Sequence, residues 1–178
     1  MITAPALEAV FHACFLDEYN TQLQGGAAEP LYTPATVSAP AVIHYREDFP
    51  ASLLHEVAHW CIAGAERRRQ EDYGYWYAPD GRDARQQREF EQVEVRPQAL
   101  EWHLALACGV AFRISHDNLT LPEDPGCGFH EAVDRQARRF CAEPLPPRGQ
   151  RFRSALAAQF GGVLVPEPAY FPGPGAQQ

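Results

Sequence analysis

The chain has 178 residues and a formal net charge of −8, with 46% hydrophobic and 21% charged residues. That size suits a single domain with a core that needs no staple, and the acidic balance argues against a general nucleic-acid binder and against attachment to anionic lipid. Five cysteines (Cys14, Cys61, Cys108, Cys127 and Cys141) are scattered without a CxxC pair. This argues against a disulfide framework or a cysteine zinc cage and fits a reducing compartment. The N-terminus lacks the basic start and apolar run of a signal peptide, and no stretch is long and apolar enough to span a bilayer. A cytoplasmic protein is expected.

Thr3 and Pro5 read as a helix start, with Thr3 as cap and the proline in the first turn. Leu7, Val10, Phe11, Cys14 and Phe15 continue it at helical spacing. Residues 20–40 carry Gly25, Gly26, Pro30, Pro34 and Pro40 and read as loop. Ala41 to Tyr45 is short and β-rich, which predicts a strand. A helix is expected from about Pro50 to Ala63, stopped by Gly64. An aromatic stretch with Tyr73, Tyr75, Trp76 and Tyr77 closes in a turn at Pro79–Asp83. A long helical pattern follows from Asp83 to Cys108, with Gly109 after it and a kink or break expected at Pro97. Helical segments near 128–142 and 148–160 precede a Gly/Pro-rich tail that reads as extended or loose. The expected fold is α+β and predominantly helical, one domain with a few short strands.

Residues 55–59 are His-Glu-Val-Ala-His, an HExxH motif on a predicted helix. Histidines four apart project from one face a turn apart, so both imidazoles can reach one metal ion. Glu56 points to one side, where a carboxylate can act on a bound water or a neighbouring ligand. The flanks Leu53, Leu54, Val57, Trp60 and Ile62 are apolar, so the helix is expected to be buried, and a buried Glu56 needs a partner. Cys61 lies on another face and reads as packing.

Two histidines and one glutamate leave positions open for catalysis on zinc, and on iron the same set is the facial triad of non-haem oxygenases. The next long helix offers Glu89, Glu91, Glu94 and Glu101. Glu91, Glu94 and Glu101 share a face. Glu94 has the most apolar surroundings, just before Pro97, and is the expected third ligand, with Glu91 in reserve. The aromatic stretch between these two helices is placed to line a pocket mouth or simply to pack. His12, His44, His103, His116 and His130 show no ligand spacing and read as structural or exposed.

Three runs carry a resemblance to a known family. They are His55–Arg68, Tyr73–Asp83 (Tyr-Gly-Tyr-Trp-Tyr-Ala-Pro-Asp-Gly-Arg-Asp) and Phe90–Trp102 (Phe-Glu-Gln-Val-Glu-Val-Arg-Pro-Gln-Ala-Leu-Glu-Trp). With Glu29-Pro30-Leu31-Tyr32 and Asp117-Asn118-Leu119, they make residues 7–160 resemble the elongation factor P hydroxylases. The proline-rich tail has no match in the resemblance. The resemblance implies an enzyme that hydroxylates a lysine of translation elongation factor P, usually one already carrying a β-lysyl group. It also implies a zincin-like core, a metal site of His55, His59 and Glu94, and O₂ as co-substrate. Hydroxylating an unactivated C–H bond needs a redox metal, which zinc is not, so Fe(II) is expected. Glu56 would then move protons or orient a bound water.

The competing reading is a zinc metallopeptidase, in which Glu56 is the general base. It accounts for HExxH and a later glutamate but not for the long runs around them. A third reading is a binding module with a closed structural metal site, which would need a fourth ligand such as Glu91 or His103.

Overall fold

The computed structural model describes residues 2–75, 82–116 and 128–171. Helix α1 (Ala4–Tyr19) turns its Leu7, Phe11 and Phe15 stripe inward. Its Thr3 cap works through the backbone alone: the carbonyl accepts from the Ala6 and Leu7 amides, and the hydroxyl makes no capping bond. The chain reverses at Asn20, which takes a left-handed conformation (φ 46°), one that asparagine tolerates better than most residues.

Residues 20–40 are not all loop. They hold β1 (Thr21–Ala27) and β2 (Leu31–Thr33), which flank β3 (Ala41–Arg46) in the order β1-β3-β2. Strand β1 runs parallel to β3, and β2 runs antiparallel to it. The glycines that read as loop are a bulge inside β1, where the register shifts between Gln24 and Ala27. A Cβ at Gly25 would lie 2.6 Å from the Tyr45 hydroxyl, and Gly26 has φ +81°. Pro30 and Pro34 bracket β2 and keep it short.

Helix α2 (Pro50–Ile62) lies against this sheet and buries Leu53, Leu54, Val57, Ala58, Trp60 and Cys61. Trp60 sits in a nest of rings with centroids 5.3 Å from Phe11, 5.0 Å from Phe15 and 5.4 Å from Tyr19. Gly64 does not stop α2 by a left-handed turn. Arginines satisfy the last-turn carbonyls instead. Arg148 Nη2 converges on the Trp60, Cys61 and Ala63 carbonyls (2.9, 3.1 and 2.6 Å), and Arg68 Nη1 donates to Ala63 (2.8 Å).

Helix α3 (Ala84–Cys108) begins in a reciprocal cap: the Asp83 carboxylate accepts from the Arg85 and Gln86 amides, and the Gln86 side chain accepts from the Asp83 amide. It continues through Pro97 without a break. Proline has no N–H, so the bond to the Val93 carbonyl is absent. Helices α4 (Gly128–Ala142) and α5 (Pro147–Phe160) pack on α3. The described part of the tail holds a short 3-10 turn (Pro168–Tyr170) and packs on the core at its end. Phe171 is fully buried against Trp102 and His103, and Arg138 donates to its carbonyl. The fold is therefore mostly helical with a small three-stranded sheet. Among the described residues no helix is long and apolar enough to cross a membrane.

Candidate metal centre

With Trp60, Leu54 and Val57 turned into the core, α2 presents His55, Glu56 and His59 on its opposite, partly open side. Helix α3 crosses this side and delivers Glu94, which is 3% exposed. The three side chains meet. His55 Nε2 and His59 Nε2 are 3.1 Å apart, and His59 Nε2 lies 3.1 Å from Glu94 Oε1. Glu94 Oε2 is 3.5 Å from His55 Nε2, yet it is buried and makes no hydrogen bond. One donor atom from each residue can be chosen so that all lie within 4.8 Å of one another, a spacing that could hold a metal ion.

The donor chemistry fits such an ion. Two imidazole nitrogens and a carboxylate suit a divalent transition metal. The two Nε2 atoms face each other at 3.1 Å, so either a proton on one of them or a cation between them must separate the lone pairs. A sealed carboxylate oxygen with no donor is costly unless a cation meets it. The titration behaviour agrees. Burial would lower His55, but the Glu101 hydrogen bond and the Glu94, Glu101 and Glu56 charges outweigh it and hold the imidazole well above its ordinary value. Burial would raise Glu94, yet the two histidines and the Gln98 amide hold it well below the usual carboxylate range. The site is built for one positive charge, and a metal ion competes for that place with a proton.

Glu56 lies beside the cluster. Burial raises its carboxyl, the Glu94 and Asp72 charges add to this, and the two histidines oppose it. Glu101 is 7% exposed, and its Oε2 lies 2.9 Å from His55 Nδ1. It stood in the sequence among the glutamates on offer as third ligand, seven residues after Glu94 on the same helix face, but no spacing signal marked it as a partner of His55. Glu91 turns elsewhere: its Oε1 accepts from Gln87 Nε2 (3.2 Å) and lies 3.3 Å from His116 Nδ1. His103 is also remote from the cluster; its Nε2 donates to the Ala137 carbonyl (2.9 Å). Neither candidate for a fourth ligand joins the site.

Among the described residues, two cavities flank the cluster. One of about 540 Å³ lies beside His59 and is walled by Ile62, Tyr73, Tyr75, Val93 and Pro97. The other, of about 340 Å³, is lined by His55, Glu56, Glu94 and Glu101. Tyr73 is placed by an unusual turn in which Asp72 and Tyr73 both have left-handed backbones (φ 45° and 57°). Such residues persist only where their surroundings fix them. Here Asp72 Oδ1 accepts from the Tyr32 amide (2.8 Å), and Arg67 donates to the Tyr73 carbonyl (3.0 Å). The Tyr73 ring is stacked between Tyr32 (4.4 Å) and His59 (6.5 Å). Of the aromatic stretch, Tyr73 and Tyr75 therefore border a cavity, while Trp76, Tyr77 and the turn through Gly81 lie outside the described residues.

Comparison with known proteins gives the chain as a whole a family. A family model described as elongation factor P hydroxylase matches residues 10–169. An elongation factor P lysine hydroxylase of Haemophilus influenzae is 48% identical over 151 residues, covering 84% of this chain and 85% of that protein.

Proposed function

This chain belongs to the elongation factor P hydroxylase family, and on that premise we propose that it hydroxylates a lysine of elongation factor P with one metal ion held by His55, His59 and Glu94. The observation that carries this reading is the convergence of two histidines from α2 and one buried glutamate from α3, with Glu94 Oε2 lacking any hydrogen-bond donor. The HExxH helix against a small sheet supports a zincin-like core, and the cytoplasm, where a translation factor works, is its expected compartment.

The metal we infer is Fe(II), because zinc has no redox chemistry and a two-histidine, one-carboxylate set with open positions suits non-haem iron. Such an ion, when bound, supplies O₂ activation: one oxygen atom enters a C–H bond, and the other becomes water with two electrons and two protons from an external reductant. The protein's own contribution is positional and protic. His55, His59 and Glu94 hold three positions from one side of the cluster. Glu56, whose carboxyl is pushed above its ordinary value by burial, lies next to the open side, where it can take up or deliver a proton. Both flanking cavities fall in the size range of small-ligand pockets. They leave room for a long lysyl side chain, including one extended by a β-lysyl group.

The same three ligands and Glu56 would serve a zinc peptidase, and family membership favours the hydroxylase. Loading the metal-free protein with Fe(II) or with Zn(II) tests the choice. With Fe(II), O₂ and a reductant, the modified factor should gain one oxygen atom, and with zinc it should not. Peptide cleavage by the zinc form, without oxygen transfer by the iron form, would overturn the proposal. Glu56→Gln should slow hydroxylation while leaving metal binding intact; unchanged turnover would remove Glu56 from the mechanism.

A further inference from the structure

A histidine can offer a metal only one nitrogen, and the hydrogen bond at the other nitrogen decides which one it is. In His55 the two nitrogens face different groups. Nε2 points into the cluster, 3.1 Å from His59 Nε2, while Nδ1 lies 2.9 Å from Glu101 Oε2. A carboxylate at Nδ1 accepts a proton from it, which leaves the Nε2 lone pair free for the cluster. His59 has no protein partner of this kind among the described residues. The constraint therefore falls on one of the two histidines.

We propose that Glu101 is a positioning residue for His55: it fixes the ring's orientation and tautomer so that Nε2 faces the metal. The inference rests on the metal-site reading above and extends it outward by one residue. Glu101 is not itself a ligand in this arrangement, because the His55 ring stands between its carboxylate and the cluster. Its place in the fold makes it effective. Glu94 and Glu101 lie two turns apart on one face of α3, so a single helix delivers both the ligand and the group that orients the opposing ligand. Glu101 is 7% exposed, so water competes little for its carboxylate. Gln98 sits between them; besides favouring the Glu94 carboxylate, its side chain donates to the Ser115 carbonyl (2.7 Å) and accepts from the Ser115 amide (3.0 Å). It leaves the Glu101–His55 pair undisturbed.

The test uses zinc, which is diamagnetic and inert to oxygen, so its outcome is independent of hydroxylation. Zinc affinity would be measured by chelator competition for the full chain and for Glu101→Gln and Glu101→Ala. The amide of Glu101→Gln still offers an acceptor, and affinity should stay within about threefold of the parent. Glu101→Ala should lose roughly 10- to 100-fold, the usual effect of removing such a partner. In the zinc-loaded parent, nitrogen NMR should show a protonated Nδ1 and a metal-bound Nε2 at His55. That reading needs no variant, should Glu101→Ala fail to fold. Parent-like affinity in Glu101→Ala, an equal loss in Glu101→Gln, or a proton on Nε2 of His55 would each overturn the proposal. Failure of the parent to bind zinc would overturn the metal site beneath it. Failure to hydroxylate alongside the expected zinc results would count only against the hydroxylase reading.

Discussion

Replacing Arg148 by methionine keeps most of the side chain's apolar stem and removes its guanidinium. In the fold that group is the terminator of α2, the helix that carries His55 and His59. Its Nη2 reaches three last-turn carbonyls, and its guanidinium carbon lies 4.7 Å from the centre of the Trp60 ring. One nitrogen with two hydrogens makes at most about two good bonds, and hydrogen bonds from a charged donor contribute ~1.5 kcal/mol or more each. The partly exposed cation–π contact adds ~0.5–1 kcal/mol. Arg68 still covers Ala63, which offsets part of the loss. The expected destabilisation is about 3 kcal/mol. In a chain of this length it lowers Tm by roughly 6–12 °C. The loosened last turn contains His59, so metal affinity should fall as well. Thermal unfolding followed by circular dichroism and a zinc titration would measure both effects. A Tm within about 2 °C of the parent would refute the view that arginine, rather than a glycine turn, ends this helix.

Other perturbations follow from the same contacts. Tyr73→Phe removes a buried hydroxyl that has no partner and keeps the ring stack. It should leave urea stability unchanged or raise it by up to about 1 kcal/mol; a clear loss would mean that the hydroxyl is bonded. Gly25→Ala places a methyl carbon 2.6 Å from the Tyr45 hydroxyl, which donates to Glu8 (2.9 Å). A loss of ~1–3 kcal/mol is expected, and parent-like stability would contradict the packing described. His103 is fully buried, and burial, with Arg153 nearby, lowers its pKa from 6.5 to about 4. The unfolded chain then binds the proton first. Stability present above pH 6.5 is lost as pH falls from 6.5 toward 4, by about 3 kcal/mol in total. Urea titrations across that range should show the slope, and His103→Gln should flatten it; equal slopes would refute the assignment. Saturating zinc or cobalt should raise the Tm of the metal-free protein, since a ligand at about 100 times its Kd contributes about 2.7 kcal/mol. Glu94→Ala should abolish that rise, and an undiminished rise would place the metal elsewhere.

Much of the helical frame was legible from spacing alone. The apolar positions of α1 and α2 are local signals, and these helices formed where they point. The strands β1 and β2 were not. Thr-Gln-Leu-Gln-Gly-Gly-Ala has little β character of its own, and it becomes a strand because β3, some twenty residues away, supplies the hydrogen bonds. Gly25 answers to Tyr45 overhead, a contact that no local pattern encodes. The end of α2 was misread for a related reason. Gly64 is a fair local stop signal, but Arg148, far along the chain, does the work. In the candidate site, HExxH and the burial of Glu94 could be read from the residues and their neighbours. Glu91 and Glu94 were harder to separate, because a three-residue step on a helix keeps both near one face; the crossing of α3 over α2 then brings Glu94, and not Glu91, to the histidines. Glu101 was visible as a third member of that face, but its role depends on which nitrogen of His55 it meets.

Co-expression of this chain with its cognate elongation factor P, followed by the intact mass of the factor, tests the central claim most directly. The parent should add one oxygen atom to the modified lysine, and His55→Ala, with its metal site broken, should add none. Absence of the added oxygen when iron is bound and the modified factor is present, or its undiminished appearance with His55→Ala, would contradict the account.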